Sequence, residues 1–195
     1  MTQDPAGTTV KCSACGASYG FEVRSRIDAA RSPELKTAVL DGSLFISECP
    51  MCGKRELRNY PLVYSDGKLL ICLSDIMLKA QVPEGLTARQ VRDAGSLIEK
   101  IKIFDASLDD VAIELCKFVT RQEMERDADL RFLALDGPDH DLVFTYPADG
   151  RMEMLSTGFN VYEDCCAIVR RNPELTPPAG SLERVDREWI EQYLK

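Results

Sequence analysis

What this chain lacks narrows it first. It has a single histidine, His140, set in the turn-like run Gly137-Pro138-Asp139-His140-Asp141, so imidazole has little claim to a catalytic or ligand role. No apolar run approaches the ~20 residues that a membrane helix requires, and no apolar stretch follows Met1-Thr2-Gln3-Asp4-Pro5. The expectation is a chain with no membrane partner. Basic residues are in deficit: 24 Lys+Arg stand against 32 Asp+Glu, a net charge of −8. Without a basic stripe to displace counterions from phosphates, nucleic acid is disfavoured as a partner. No Walker loop, dinucleotide-binding glycine pattern, nucleophile elbow or HExxH occurs, so no catalytic residue and no organic-cofactor site is read. Cysteine, eight residues or about 4% of the chain, falls below the density of disulfide-stapled secreted miniproteins, which points to a reducing cytoplasm.

What the chain does have is Cys12-x-x-Cys15-Gly16 and Cys49-x-x-Cys52-Gly53. Two residues between thiols let one tight turn present both sulfurs to the same cation, and the following glycine permits a positive φ there. Backbone N–H groups of such a turn can point at the sulfurs and offset part of their charge. Four thiolates from two turns satisfy the tetrahedral demand of one zinc ion and leave no open position for catalysis. Cys12, Cys15, Cys49 and Cys52 are therefore the candidate ligands of a structural Zn²⁺. A four-cysteine iron centre uses the same ligands and a redox or disulfide use is also open, but two matched pairs favour zinc.

The 33 residues from Gly16 to Glu48 exceed the ~15–20 usual between such pairs, so extra structure must sit inside. Ser32-Pro33-Glu34-Leu35 opens a helix, with proline at its first position, and Gly42 closes it. Tyr19 to Arg24 alternates as a strand. After the second pair, strands over 60–64 and 68–73 flank a Ser65-Asp66-Gly67 turn, a hairpin expected to extend the sheet of the metal module, with Pro61 at a strand start or edge. A break at residues 81–85 is the candidate domain boundary, giving a metal module over 8–80 and a second part over 84–195. Charge divides unevenly: residues 1–72 carry 9 Lys+Arg and 8 Asp+Glu, residues 73–195 carry 15 and 24.

In the second part, helical spacing predicts a helix over 87–104, with Gly95 interrupting it, and another over 107–126, the two packed by their apolar faces. Period-two runs predict three strands, over 130–135, 141–146 and 151–155, as an antiparallel meander. Helices over 162–171 and 185–194 follow, the latter containing Trp189. Cys72, Cys116, Cys165 and Cys166 read as small packing residues. The acidic pairs Asp109-Asp110 and Glu163-Asp164 read as helix-start carboxylates rather than an acid–base pair. Lys54, Arg55 and Arg58 read as solvated surface that could touch a phosphate.

Several stretches together resemble the bacterial and archaeal CpXC domain family, named for two Cys-Pro-x-Cys motifs: Val10-Lys11-Cys12-Ser13-Ala14-Cys15-Gly16; Ser32-Pro33-Glu34-Leu35-Lys36 with Asp41-Gly42-Ser43-Leu44; Glu48-Cys49-Pro50-Met51-Cys52-Gly53; and Tyr60-Pro61-Leu62-Val63-Tyr64-Ser65-Asp66. Residues 97–105 and 108–115 look like the helical part of that family. The chain departs from the pattern at Ser13, where the first proline is expected. The resemblance implies the architecture and the four ligands and brings no activity with it. The fold class expected is α+β, an N-terminal zinc-ribbon-like β module with an inserted helix, followed by helices packed on a small antiparallel sheet. The function expected is that of a structural zinc protein that binds another protein. An enzyme with a small-molecule site at the junction of the two parts and a nucleic-acid-binding ribbon are the alternatives.

Overall fold

The cysteine pairs sit at the tips of two short hairpins in a computed structural model of the chain, which describes residues 5–74, 82–83, 85–124 and 127–194. Strand β1 (Ala6–Lys11) pairs antiparallel with β2 (Ser18–Val23), and the first pair occupies the turn between them. A short β3 (Arg26–Asp28) leads to α1 (Pro33–Leu40), which has proline in its first turn as expected. Gly42, at φ +77°, is the left-handed residue that breaks the helix and starts the 3-10 turn Ser43–Phe45. Strand β4 (Ile46–Glu48) then pairs antiparallel with β5 (Arg55–Leu57) around the second pair.

Strands β6 (Leu62–Ser65) and β7 (Leu69–Leu73) form the expected hairpin, but it does not extend the metal module's ladders. It is the centre of a separate four-stranded sheet of order β3-β6-β7-β8, in which β3 runs parallel to β6 and β8 (Thr87–Val91) parallel to β7. The outer edges of the hairpin are thereby occupied, leaving no ladder positions for the cysteine hairpins. Pro61 precedes β6, so it stands at a strand start, although β6 is interior. Tyr64, Ile71 and Ile27, each no more than 1% exposed, anchor this sheet.

The helix expected over 87–104 is two elements. Residues 87–91 are β8, and α2 (Ala94–Asp105) begins only where Asp93 Oδ1 accepts the N–H of Ser96 at 2.9 Å. A parallel partner distant in sequence satisfies the β8 backbone, which local spacing could not reveal. Gly95 lies in the first turn of α2, where it interrupts nothing. The chain clusters into two compact units, Met1–Ile98 with Ala179–Leu182, and Glu99–Pro178 with Glu183–Lys195.

In the second unit α3 (Asp110–Met124) is followed by the meander β9 (Arg131–Asp136), β10 (Asp141–Ala148) and β11 (Arg151–Thr157), in sheet order β11-β10-β9. Asp149 (φ +49°) and Gly150 (φ +76°) supply the two left-handed residues of a tight hairpin turn. Helix α4 (Phe159–Arg171) starts three residues before the expected position, so Glu163 and Asp164 lie beyond its first turn rather than at its start. After a 3-10 turn at Pro173–Leu175, α5 (Arg187–Glu191) is shorter than expected and is capped by Asp186, which accepts the Trp189 N–H at 3.0 Å.

Phe132, Leu142 and Phe144 on one sheet face pack with Ile113 and Cys116 of α3 and Tyr162 and Cys165 of α4 into one core. The rings of Phe132 and Phe144 meet edge to face at 6.2 Å. Ile103 of α2 joins the same core as Val111 and Leu115 of α3, as the expected apolar packing requires, and buried charge is added to it. Asp110, Glu114, Lys117 and Arg121, at i, i+4, i+7 and i+11, form a buried stripe on α3. Lys100 meets Asp110 at 2.8 Å and Glu114 at 3.7 Å, and Lys117 meets Glu114 at 2.8 Å and Glu99 at 2.9 Å. Glu99 also accepts the N–H of Phe132 at 2.7 Å. Among the described residues, α3 also packs along α4.

Candidate metal centre

The two cysteine turns are built alike. Gly16 N–H donates to Cys12 O at 3.0 Å and Cys12 N–H to Ala17 O at 2.9 Å; Gly53 N–H donates to Cys49 O and Cys49 N–H to Lys54 O, both at 2.9 Å. Gly16 (φ +74°) and Gly53 (φ +70°) take the left-handed conformation that closes each turn, where a Cβ would be strained. Ser13, the departure from the Cys-Pro-x-Cys pattern, does not change this geometry. It adds a donor that proline lacks: the Ser13 N–H reaches both carboxylate oxygens of Glu56 at 3.3 Å.

All four Sγ atoms lie within 4.8 Å of one another. Cys12 Sγ faces Cys52 Sγ at 3.6 Å and Cys15 Sγ faces Cys49 Sγ at 3.6 Å, so each turn contributes one sulfur to each close pair. A tetrahedron with ~2.3 Å zinc–sulfur bonds has edges of about 3.8 Å, so the spacing fits one such ion. No disulfide joins any of these thiols. Cys12 and Cys49 are buried while Cys15 and Cys52 are exposed.

The electrostatics call for a cation. The Cys15 N–H, and less strongly that of Ala14, hold the Cys12 thiol down to about 7. The Lys54 N–H pulls Cys52 down as well, but its crowding by Cys15, Cys12 and Cys49 outweighs this and pushes it up to about 12. Four sulfurs this close cannot all carry negative charge unless a positive ion sits among them.

A clamp around the site was invisible in the sequence. Arg58, read there as solvated surface, is half-buried: it pairs with Glu56 at 2.7 Å and donates to Ser47 Oγ at 2.8 Å, Lys11 O at 3.2 Å and Tyr19 Oη at 3.4 Å. With the Ser13–Glu56 contact, it ties the first cysteine turn to β4 and β5. The Ser13 hydroxyl, and then its N–H and the nearby Arg58 charge, keep the Glu56 carboxyl below its ordinary value. The only signal was Glu56-x-Arg58 itself, opposite charges on one face of a strand. Lys54 and Arg55 are exposed, as expected of solvated charges.

The other candidates are scattered. Asp109 caps α3, accepting the N–H groups of Val111 at 2.9 Å and Ala112 at 2.8 Å, which is the helix-start reading. Asp110 instead turns inward to Lys100. His140 is exposed in its turn, edge-on to Phe159 at 6.5 Å. Cys72, Cys116 and Cys165 are buried and Cys166 is partly so. Among the described residues, no other set of three or more cysteine, histidine or acidic ligand atoms clusters like the four thiols, and no helix is long and apolar enough to cross a membrane.

Neither the curated proteins nor the solved structures yield a match. The family model for CpXC protein matches residues 10–77 and again 71–117, more than half of the chain, across both cysteine pairs and into α3. With both cysteine pairs inside the matched stretch, the chain belongs to the CpXC protein family.

Proposed function

We propose that this is a structural zinc protein whose role is to bind another protein. Cys12, Cys15, Cys49 and Cys52 hold one Zn²⁺ in a zinc-ribbon-like module over 8–80, and the acidic part over 84–195 presents a docking face. The observation that carries the metal reading is the cluster of four thiols within 4.8 Å, drawn from two turns with the same hydrogen bonds. Sulfur-only ligation with no position left for substrate favours a structural over a catalytic ion. The reducing cytoplasm is the compartment proposed, because these thiols must stay reduced to bind metal.

The interaction reading is supported by the sheet face away from the core. Val143, Pro147, Met152 and Met154 share that face by register, and Met152 and Met154 are 62% and 69% exposed. A groove of about 410 Å³ runs over it, lined among others by Leu133, Ala134, Val143 and Met154. Apolar faces of this kind on a monomer mark binding sites. The 24 acidic against 15 basic residues over 73–195 select a partner segment that is apolar and basic.

Native mass spectrometry of gently isolated protein should show one zinc per chain, lost on Cys49→Ser; unchanged metal content in that variant refutes the ligand set. A labelled peptide alternating lysine with apolar residues should bind with an affinity that Met154→Ser weakens about tenfold. Equal affinity for both forms refutes the docking face.

A further inference from the structure

Strand β11 ends the meander with one side unpaired. Its ladder runs to β10 alone, and among the described residues no other backbone hydrogen bond reaches residues 151–157. The register says which groups are left over. In a hairpin with the two-residue turn Asp149-Gly150, the closing residues Ala148 and Arg151 exchange hydrogen bonds, and bonded and non-bonded pairs then alternate along the ladder. Arg151, Glu153, Leu155 and Thr157 therefore bond to β10, while the N–H and C=O groups of Met152, Met154 and Ser156 point away from it. Pro147, which has no N–H to give, stands opposite Met152 in a non-bonded pair, where the ladder loses nothing.

Sheet edges are commonly blunted by proline, lysine or a bulge. Strand β11 has none of the three: its seven residues, Arg151–Thr157, keep an unbroken register with β10. Met152, Met154 and Ser156 share the exposed face with Val143 and the groove, and Arg151 and Glu153 lie on the opposite side. Charge around the edge is of one sign. Residues 131–157 hold five carboxylates, Asp136, Asp139, Asp141, Asp149 and Glu153, against Arg131 and Arg151.

We propose that the partner binds as an extended strand, adding antiparallel to the free edge of β11 with apolar residues and lysines in alternation; this rests on the docking-face reading above. Antiparallel pairing is the more stable per residue. In that register the partner's apolar residues lie opposite Met152, Met154 and Ser156, exchange both backbone bonds with them and lean over the groove. Its lysines fall on the other side, one of them opposite Glu153, with their N–H groups turned to solvent. Main-chain bonds supply the affinity, and the alternation of side chains selects the partner. A second copy of β11 is the poorer occupant, because self-pairing would bring two acidic meanders together.

The test uses the full zinc-loaded chain and a labelled peptide alternating lysine with valine, in three forms: unmodified, backbone N-methylated at the valines, and backbone N-methylated at the lysines. The unmodified and lysine-methylated forms should bind within about threefold of each other. The valine-methylated form should bind at least about a hundredfold more weakly, because the bonds to Met152, Met154 and Ser156 are lost. Amide exchange with the unmodified peptide at saturation should slow at Met152, Met154 and Ser156 by at least about tenfold, while Glu153 and Leu155, already bonded to β10, change little. Equal binding of the two methylated forms, or outward amides that still exchange freely, would overturn strand addition and leave the docking face standing. No binding of the unmodified peptide would overturn both. A dimer in sedimentation, with the same three amides protected before peptide is added, would give the edge to a second copy and overturn the proposal.

Discussion

Removing the metal should melt the cysteine hairpins and leave the four-stranded sheet standing. Strand β1 is exposed at five of its six residues, and β4 and β5 are three residues each, with only Ser47 fully buried. Two-stranded ribbons of that kind are marginal in water by themselves. The sheet β3-β6-β7-β8, by contrast, rests on Ile27, Tyr64 and Ile71. A structural zinc site contributes on the order of 10 kcal/mol of folding free energy at neutral pH. Even a loss of about 4 kcal/mol speeds amide exchange through local opening roughly a thousandfold, at 1.4 kcal/mol per factor of ten. Hydrogen exchange read by mass spectrometry, before and after a zinc chelator, tests this directly. The Gly16 and Gly53 amides, bonded to Cys12 O and Cys49 O, should lose that protection, while Ile71 and Cys72 in β7 keep theirs. Hairpin exchange unchanged within a factor of about three would refute a metal-held module. Collapse of β7 in the same step would refute the separation of the hairpins from the sheet.

Arg58→Ala cuts the ties to Glu56, Ser47 and Lys11 O, and should weaken zinc affinity by about 10–100-fold with stoichiometry intact, read by competition with a chromogenic chelator; full loss of zinc would make Arg58 structural in a wider sense. Lys117→Met leaves Glu99 and Glu114 buried without their shared cation and should cost about 3–5 kcal/mol in urea denaturation, which replacing both carboxylates with apolar residues would largely restore. Burial pulls the Lys117 ammonium down, but Glu114 and Glu99 outweigh it and hold it above the ordinary lysine value. A raised lysine stabilises fully below about pH 10.5 and loses that contribution as pH rises through its folded value. Urea midpoints should therefore hold level up to about pH 10.5 and decline above it in the parent protein, and decline less in Lys117→Met; parallel curves above about pH 10.5 would show that Lys117 does not drive the decline.

Where the chain's reading matched the structure, the cause was local. The cysteine turns, the proline-started α1, the Asp149-Gly150 hairpin and the three-stranded meander each rest on contacts within a few residues. Where it went astray, a distant partner intervened. Residues 87–91 have helical spacing yet are held as a strand by β7, and the hairpin β6–β7 is enclosed by β3 and β8 instead of joining the cysteine ladders. Arg58 belongs to the same class: its charge looked solvated until Glu56, Tyr19 and Ser47 were brought round it.

By itself the sequence determined the four candidate ligands, because a Cys-x-x-Cys-Gly turn is a local object whose backbone sets where both sulfurs go. It also settled the acidic balance and the α+β class. Only the tertiary structure decided that the two turns meet with sulfurs interleaved, that Ser13 gains a carboxylate through the N–H a proline would not have, and that a charged stripe on α3 is interior. The sulfur and Ser13–Glu56 contacts join side chains tens of residues apart and leave no local pattern, and the helical spacing of charges on α3 does not say whether that stripe faces water or the buried cations and anions that pair with it.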